Sequence, residues 1–378
     1  MPWKVSPMSE IRLAFVHHVV SLGVSVTNAC DKFEISRKTG YKWLNRHRDN
    51  PDRPLSDQTR RPRTSPAITN ADLERRILDV RAEFGWGARK IRAYLQEGKV
   101  PDLPSITTVG NILRRNGCIK PKRSEPEPIQ FFERTQPHQL WQCDHKGPIE
   151  VGRRKVHPLT LLDDHSRFLL ALRPCEDLTM KTAFNVLWDA FGEFGMPESL
   201  LCDNAFSTTF QVPKTVSWFD SRLILLGIDP IHGRPYHPQT QGKVERLNGT
   251  LEREVWPHVR RDSLPHFDED INRWRTNVYN AIRPHESLGD KPPLSRFYPS
   301  SRPRPSKIPG VEYPAGSITR KVSTSGDIRW RNCRILAGRG LVGQFVRIEE
   351  RDHETAIYFS SKQVRGIAHD QLKPGTML

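Results

Sequence analysis

Three acidic residues stand where they could do chemistry. Asp144 closes the run Leu140-Trp141-Gln142-Cys143, Asp203 closes Leu200-Leu201-Cys202, and Glu245 lies in Gly242-Lys243-Val244-Glu245-Arg246. The first two end short apolar runs of the kind that form buried strands. The third follows a Pro-rich loop over 233–240 and opens a helical stretch. A carboxylate placed after apolar residues is costly unless it has a partner, and hard divalent cations take oxygen ligands of this kind. Carboxylates from two strand ends and one helix can converge on a pair of such ions, which supports in-line phosphoryl transfer. One Asp at a strand end is most often a turn or cap residue; it is the set of three that points to a metal centre.

The elements that must position these acids are readable. Strands are expected over 141–144, 156–162 and 168–172, the last two flanking the turn Asp163-Asp164-His165-Ser166. Thr179 caps an amphipathic helix running to Phe194, which Gly195-Met196-Pro197 ends. Two strands follow at 200–202 and 228–231, then the Glu245 helix over 240–255. Asp163 and Asp164 are read as turn residues, not ligands.

Upstream, residues 9–48 read as three short helices. The first carries the stripe Ile11, Ala14, Phe15, Val19 and Val20, and Ser36 caps the third. That third helix holds Arg37, Lys38, Lys42 and Arg46, so the unit reads as a helix-turn-helix whose basic helix enters a major groove. A small bundle with a solvated basic face is the duller alternative. Residues 51–66 lack periodicity and are rich in Pro, a linker in which Arg60, Arg61 and Arg63 could follow a minor groove or brush phosphates. A second three-helix pattern covers 67–120. It starts at Thr69-x-x-Asp72, and its last helix, capped by Ser105, presents Thr107, Asn111 and Arg114. Residues 121–135 and 295–314 read as further linkers, bounding a core at 136–294. From 315 to 378 short β-prone runs with turn signals suggest a small barrel.

Taken together, Leu140-Trp141-Gln142-x-Asp144, Asp163-Asp164-His165-Ser166-Arg167, Asp203-Asn204 and His237-Pro238-Gln239-x-x-Gly242-Lys243-x-Glu245-Arg246-x-Asn248 resemble the catalytic core of DDE transposases. More narrowly, they resemble insertion-sequence transposases related to retroviral integrases. The resemblance spans residues 136–293 and extends more weakly over both flanks. It implies a multidomain protein: N-terminal all-α helix-turn-helix modules, a central α/β ribonuclease H-like core with a mixed five-stranded sheet, and an SH3-like C-terminal β-barrel. It also implies Asp144, Asp203 and Glu245 as catalytic ligands of Mg2+ or Mn2+, two ions in all, acting on double-stranded DNA (element ends and target) within a homo-oligomer. His237 and Gln239 would flank the site, Lys243 or Arg246 would face DNA, and the 279–289 stretch would be scaffold or DNA contact. Two features depart from the family's pattern. Asp203 and Glu245 are separated by 41 residues, a wide gap that a polar insertion at 207–217 explains. Glu252 stands where many relatives carry a basic residue.

Charge supports a polyanionic partner. The chain has 378 residues, a formal charge of +16 and a sequence pI near 9.8, and its charge is partitioned. Residues 1–130 carry 24 Lys/Arg against 14 Asp/Glu, residues 131–301 carry 21 against 22, and residues 302–378 carry 14 against 7. A nearly neutral centre between two basic arms is the pattern of a catalytic unit gripped to nucleic acid by its neighbours. Six scattered cysteines with no C-x-x-C pair suit a reducing cytosol and provide neither disulfide framework nor zinc module. With no signal peptide and no apolar spanning run, the expected location is the bacterial cytoplasm, at the nucleoid and away from membranes. The leading expectation is a transposase that cleaves element 3′ ends and joins them to target DNA. A domesticated, non-catalytic DNA-binding protein and a nuclease that cuts without joining are the alternatives.

Overall fold

The computed structural model describes residues 8–57, 69–119, 133–202, 216–232, 242–373 and 375–377. The chain divides into two compact units, residues 1–68 and 69–378.

The first unit holds three helices, α1 (Met8–Val20), α2 (Val26–Lys32) and α3 (Arg37–Asp49). Ser36 caps α3 as expected, accepting from the Thr39 amide. The stripe on α1 is narrower than the sequence suggests: Phe15 and Val16 are buried, whereas Ile11 and Val20 are exposed. Trp43, 4% exposed, fills the centre. Arg12, Lys42 and Arg46 lie 3.9, 4.6 and 4.8 Å from its ring centroid, a set of cation–π contacts around this buried ring.

The second unit opens with α4 (Ala71–Phe84), α5 (Ala88–Glu97) and α6 (Ile106–Arg115). The cap of α4 is Asn70, not Thr69: the Asn70 side chain accepts from the Asp72 amide. The central domain follows. Its sheet is built on β3 (Arg154–Asp163), which pairs antiparallel with β4 (Leu169–Cys175) on one side and with β1 (Trp141–His145) on the other. After Lys146–Pro148 the short β2 (Ile149–Val151) resumes the ladder with β3 that β1 leaves at His145. Six strands thus fill the five positions expected. Beyond β1 come β5 (Ser199–Cys202) and β6 (Asp229–His232), both parallel to their neighbours. Trp141, Cys143, Leu159, Leu161, Leu200 and Cys202 point to one face, into a core with α7 (Met180–Phe194) and α8 (Trp218–Leu225). Leu162, Leu169 and Leu172 point to the other, against α9 (Gly242–Glu254) and α10 (Leu264–Arg273). The sequence reading missed α8, whose start is fixed by reciprocal Ser217–Asp220 capping. It also missed α10, which runs on into a π-helical turn, Trp274–Asn280.

Two further segments lie on this core. Residues 295–314, expected to be a linker, are pinned to it: Phe297 stacks on Phe168 with centroids 3.8 Å apart, and Arg302 donates to the carbonyls of Pro197, Leu226 and Gly227. The C-terminal strands differ from the expected barrel. β7 (Ile318–Lys321), β10 (Phe345–Glu350), β11 (Glu354–Phe359) and β12 (Lys362–Ala368) form an antiparallel sheet in the order β12-β11-β10-β7. A separate hairpin of β8 (Asp327–Trp330) and β9 (Cys333–Leu336) packs in the same apolar cluster. Among the described residues the two sheets do not close into a barrel. All six cysteines are free, and among the described residues no helix is long and apolar enough to cross a membrane.

The C-terminal sheet meets the core backbone to backbone. The Gly340 amide donates to the Val216 carbonyl at 3.1 Å, and a Cβ at Gly340 would stand 2.1 Å from the Ser217 carbonyl carbon. Gly340→Ala should therefore cost about 1–3 kcal/mol through forced separation, read as a lower urea midpoint; an unchanged midpoint would dismiss this contact. At the other end of the core, burial first, and then the Arg283 and Lys90 charges, push His285 down to about 2. Its folded value lies below the ordinary 6.5, so the stability it contributes is complete above that pH and is lost as pH falls through the window beneath it. Between about pH 6.5 and 5 the native chain should lose up to about 1.4 kcal/mol per pH unit more than His285→Gln. Matching losses in urea titrations would remove His285 from acid sensitivity.

Candidate active site

Asp144 is the fourth residue of β1, after two buried neighbours on the α7 side, and is itself half-buried. Glu245 sits in the first turn of α9 and is exposed. The apolar stripe Val244, Leu247 and Leu251 seats α9 on the sheet, which leaves Glu245, Asn248 and Glu252 along an adjoining face at i, i+3 and i+7. Asn248 joins the two elements: its Nδ2 donates to Asp144 Oδ2 at 3.1 Å. One residue before Asp144, Cys143 is in register with Cys202, the last residue of β5. Asp203 follows Cys202 in sequence and lies outside the described residues, as do His237 and Gln239. Among the described residues no group of three His, Cys, Asp or Glu could hold a metal ion.

The helix is fastened beside the site at two more points. Lys243 ion-pairs with Asp164, a carboxylate with no exposed surface. Asp164 also accepts from Gln142 Nε2 on β1 at 2.7 Å and from the Arg134 amide at 2.8 Å. Burial lowers the Lys243 ammonium and the bond to Asp164 works against that shift. Lys243, expected to face DNA, is thus turned inward. Past the site, Lys146 Nζ lies 2.6 Å from Glu252 Oε1. At position 252, where the resemblance leads to a basic residue being expected, stands an acid whose cation, Lys146, directly follows β1.

The hairpin turn is structural, as its position suggested. Asp163 accepts from the Ser166 amide and hydroxyl with Oδ1 and from the His138 amide with Oδ2. Arg167, at φ +61°, reaches Glu133 at 2.7 Å. After α10, Asn280 and Arg275 act on the sheet. Asn280 accepts from the Leu169 amide and donates to its carbonyl, and Arg275 donates to the carbonyls of Leu169 and Leu170. These bonds satisfy the backbone where the β3–β4 register slips.

Of the residues expected to contact DNA, Arg37, Lys38 and Lys42 on α3 and Thr107, Asn111 and Arg114 on α6 are exposed. Arg114 donates to Asn111 at 2.6 Å, so the two share a face. Arg246 on α9 is exposed. Arg46 is turned back onto Trp43 and the Ser56 carbonyl. Arg60, Arg61 and Arg63 lie outside the described residues. Sequence reasoning missed Asn248, Asp164, Lys146 and Glu252 as a set; it placed Asn248 in the Glu-Arg-x-Asn string, Asp164 in the turn and Glu252 as a departure from the family's pattern, and left Lys146 unmarked.

The Integrase core domain family matches residues 134–238 and again, in a second form, residues 226–293; a Homeodomain-like domain matches residues 39–113. The Pro-Pol polyprotein of feline foamy virus is 26% identical over 49% of this chain and 14% of its own length. A protein named as a transposase for insertion sequence element IS5376 of Geobacillus stearothermophilus is 25% identical over 93% of this chain and 85% of its own. The chain therefore spans a small part of the first relative and most of the second. Among solved structures, the simian T-cell lymphotropic virus intasome with PP2A regulatory subunit B56 gamma superposes loosely, at 18% identity and a TM-score of 0.36, over 79% of this chain and 98% of that one.

Replacing Lys243 by Met would leave the buried Asp164 carboxylate without its cation, at about 3 kcal/mol. The double change Asp164→Asn with Lys243→Met should recover most of that loss in equilibrium unfolding. If the double variant is no better than the single one, the pair does not hold α9 to the hairpin.

Proposed function

We propose that the chain, whose residues 134–293 match Integrase core domain models, is a DDE transposase that cleaves the 3′ ends of its element and joins them to target DNA. One observation carries this reading: the Asn248–Asp144 bond draws the helix bearing Glu245 against the strand bearing Asp144, at the edge where β5 ends in register with β1. Asp203 is the next residue in sequence after Cys202, the last of β5. With Asp144 and Glu245 it would make an all-oxygen donor set, the kind that suits Mg2+ or Mn2+. Two such ions, when bound, would lower the pKa of the attacking water or 3′-hydroxyl and neutralise charge on the leaving oxygen.

The chain's own residues supply positioning. Asp144, Asp203 and Glu245 would hold the ligand oxygens, and Asn248 steadies Asp144 by donating its amide to Oδ2. Lys146 and Glu252 neutralise one another beside the site. Both steps are phosphoryl transfers at one place, the first releasing a 3′-hydroxyl and the second using it as the nucleophile, so positioning and charge neutralisation can do most of the work. No side chain has to form a covalent bond to DNA. Exposed Arg37, Lys38 and Lys42 on α3, together with Thr107, Asn111 and Arg114 on α6, are the surfaces that would read the element ends, and Arg60, Arg61, Arg63, Arg246 and the basic C-terminal strands would add phosphate contacts. Synapsis of two ends calls for a homo-oligomer.

The test is a reaction of purified protein with labelled DNA carrying the element ends and a supercoiled target, in Mg2+ or in EDTA, beside Asp203→Ala. Joined products that need the metal and vanish in Asp203→Ala, with end binding retained, are expected; the loss should exceed about a hundredfold. Binding without cleavage in any metal would replace this reading with that of a site-specific DNA-binding protein. Cleavage without joining would replace it with a nuclease.

A further inference from the structure

The module of α4–α6 is bolted to the far end of the catalytic helix by a buried polar cluster. Glu254, the last residue of α9, takes both Nε and Nη2 of Arg283, each at 2.8 Å. From the module it takes Lys90 Nζ at 3.2 Å and the Trp86 indole at 3.1 Å. The Glu254 and Arg283 side chains are 9% and 6% exposed. Trp86 and Lys90 flank the start of α5, where the helix dipole favours a carboxylate. At the rim, Arg89 Nε lies 2.9 Å from both oxygens of Asp290, and Val278 and Ile282 of the core pack into the module's apolar centre. The face of α6 bearing Thr107, Asn111 and Arg114 stays exposed.

From this we infer that Lys90, Glu254 and Arg283 are positioning residues that set the register of cleavage, holding the DNA-reading helix α6 at a fixed distance from Asp144 and Glu245. The inference rests on the chain being a transposase. Glu254 and Glu245 are nine residues apart on one helix, about 13.5 Å along its axis, so movement of the module is passed to the site through a rigid rod. Measured along the duplex axis, successive phosphates of one strand are about 3.4 Å apart. A few ångströms of play between module and helix would bring a neighbouring phosphate to the acids. Holding one phosphate in place therefore needs a joint stiffer than a tether, and a desolvated, multiply bonded carboxylate is such a joint.

The experiment uses the full chain, a 5′-labelled duplex carrying one element end, Mg2+, and a single-nucleotide ladder. The double variant Arg89→Gln, Lys90→Gln removes the two cations from the module's side of the joint while leaving Trp86 and the module's own core residues Ile91 and Leu95 in place. Arg283 Nη2 also donates to the Thr250 hydroxyl at 3.3 Å; Arg283→Lys keeps a charge but cannot span Glu254 and Thr250 together. Native protein should cut at one phosphate. Both variants should bind the end within about twofold and spread their cuts over the neighbouring phosphates, Arg283→Lys less widely. Cuts confined to the original phosphate, at any yield, would overturn the inference; so would retained binding with no cutting, since the joint would then serve assembly of the site. No cutting by native protein would instead overturn the functional reading beneath it.

Discussion

Everything in the catalytic half depends on how α9 is seated. A helix bearing one ligand of a metal site needs its rotation, tilt and height fixed together. An apolar stripe alone restrains mainly the first. Here Val244, Leu247 and Leu251 set the buried face. Three polar ties then act along the axis: Lys243 to Asp164 near the start, Asn248 to Asp144 in the middle, and Glu254 to Arg283 at the end. Each reaches a different part of the core, the hairpin turn, the central strand and the segment after α10. Low dielectric strengthens such bonds once made and penalises any arrangement that leaves them unmade, so the helix has one favourable seat.

That arrangement explains how much of the protein the sequence disclosed. Elements with period and caps were readable: Ser36, Ser105 and Thr179 stand at helix starts and accept the amides expected of them. Of the three acids, Asp144 and Glu245 lie on elements joined by the Asn248–Asp144 bond, and Asp203 lies outside the described residues. Long-range polar pairing was not readable. Nothing in the neighbourhood of Lys243 distinguishes a lysine that grips a buried aspartate 79 positions away from one that grips a phosphate. The same holds for Glu252, whose partner Lys146 is 106 residues upstream. Helix α8 was missed because its eight residues, Trp218–Leu225, are apolar on most sides, which makes a short buried helix look like a strand. The expected barrel rested on strand-sized runs, and runs of that size do not encode which edges meet.

The segment after the catalytic helix shows a different economy. A slipped register between β3 and β4 would normally strand backbone groups in the interior. Asn280 and Arg275, on the π-helical turn that ends α10, take up the backbone of Leu169 and Leu170 instead. A wider helical turn rotates successive side chains differently from an α-turn, and this one brings Tyr279, Asn280 and Arg275 inward together.

The Phe168–Phe297 stack carries a consequence for biogenesis. Phe297 also meets the rings of Phe194 and His138, so the aromatic wall of the α7 face is completed by a residue that follows every strand of the central sheet. During synthesis that wall stays wet until the chain past Phe297 has left the ribosome. Arg302, which ties Pro197 to Leu226 and Gly227, emerges later still. Vectorial synthesis therefore closes this core from its C-terminal side, and a nascent chain stalled just short of Phe297 would hold a finished sheet with an open, adhesive face.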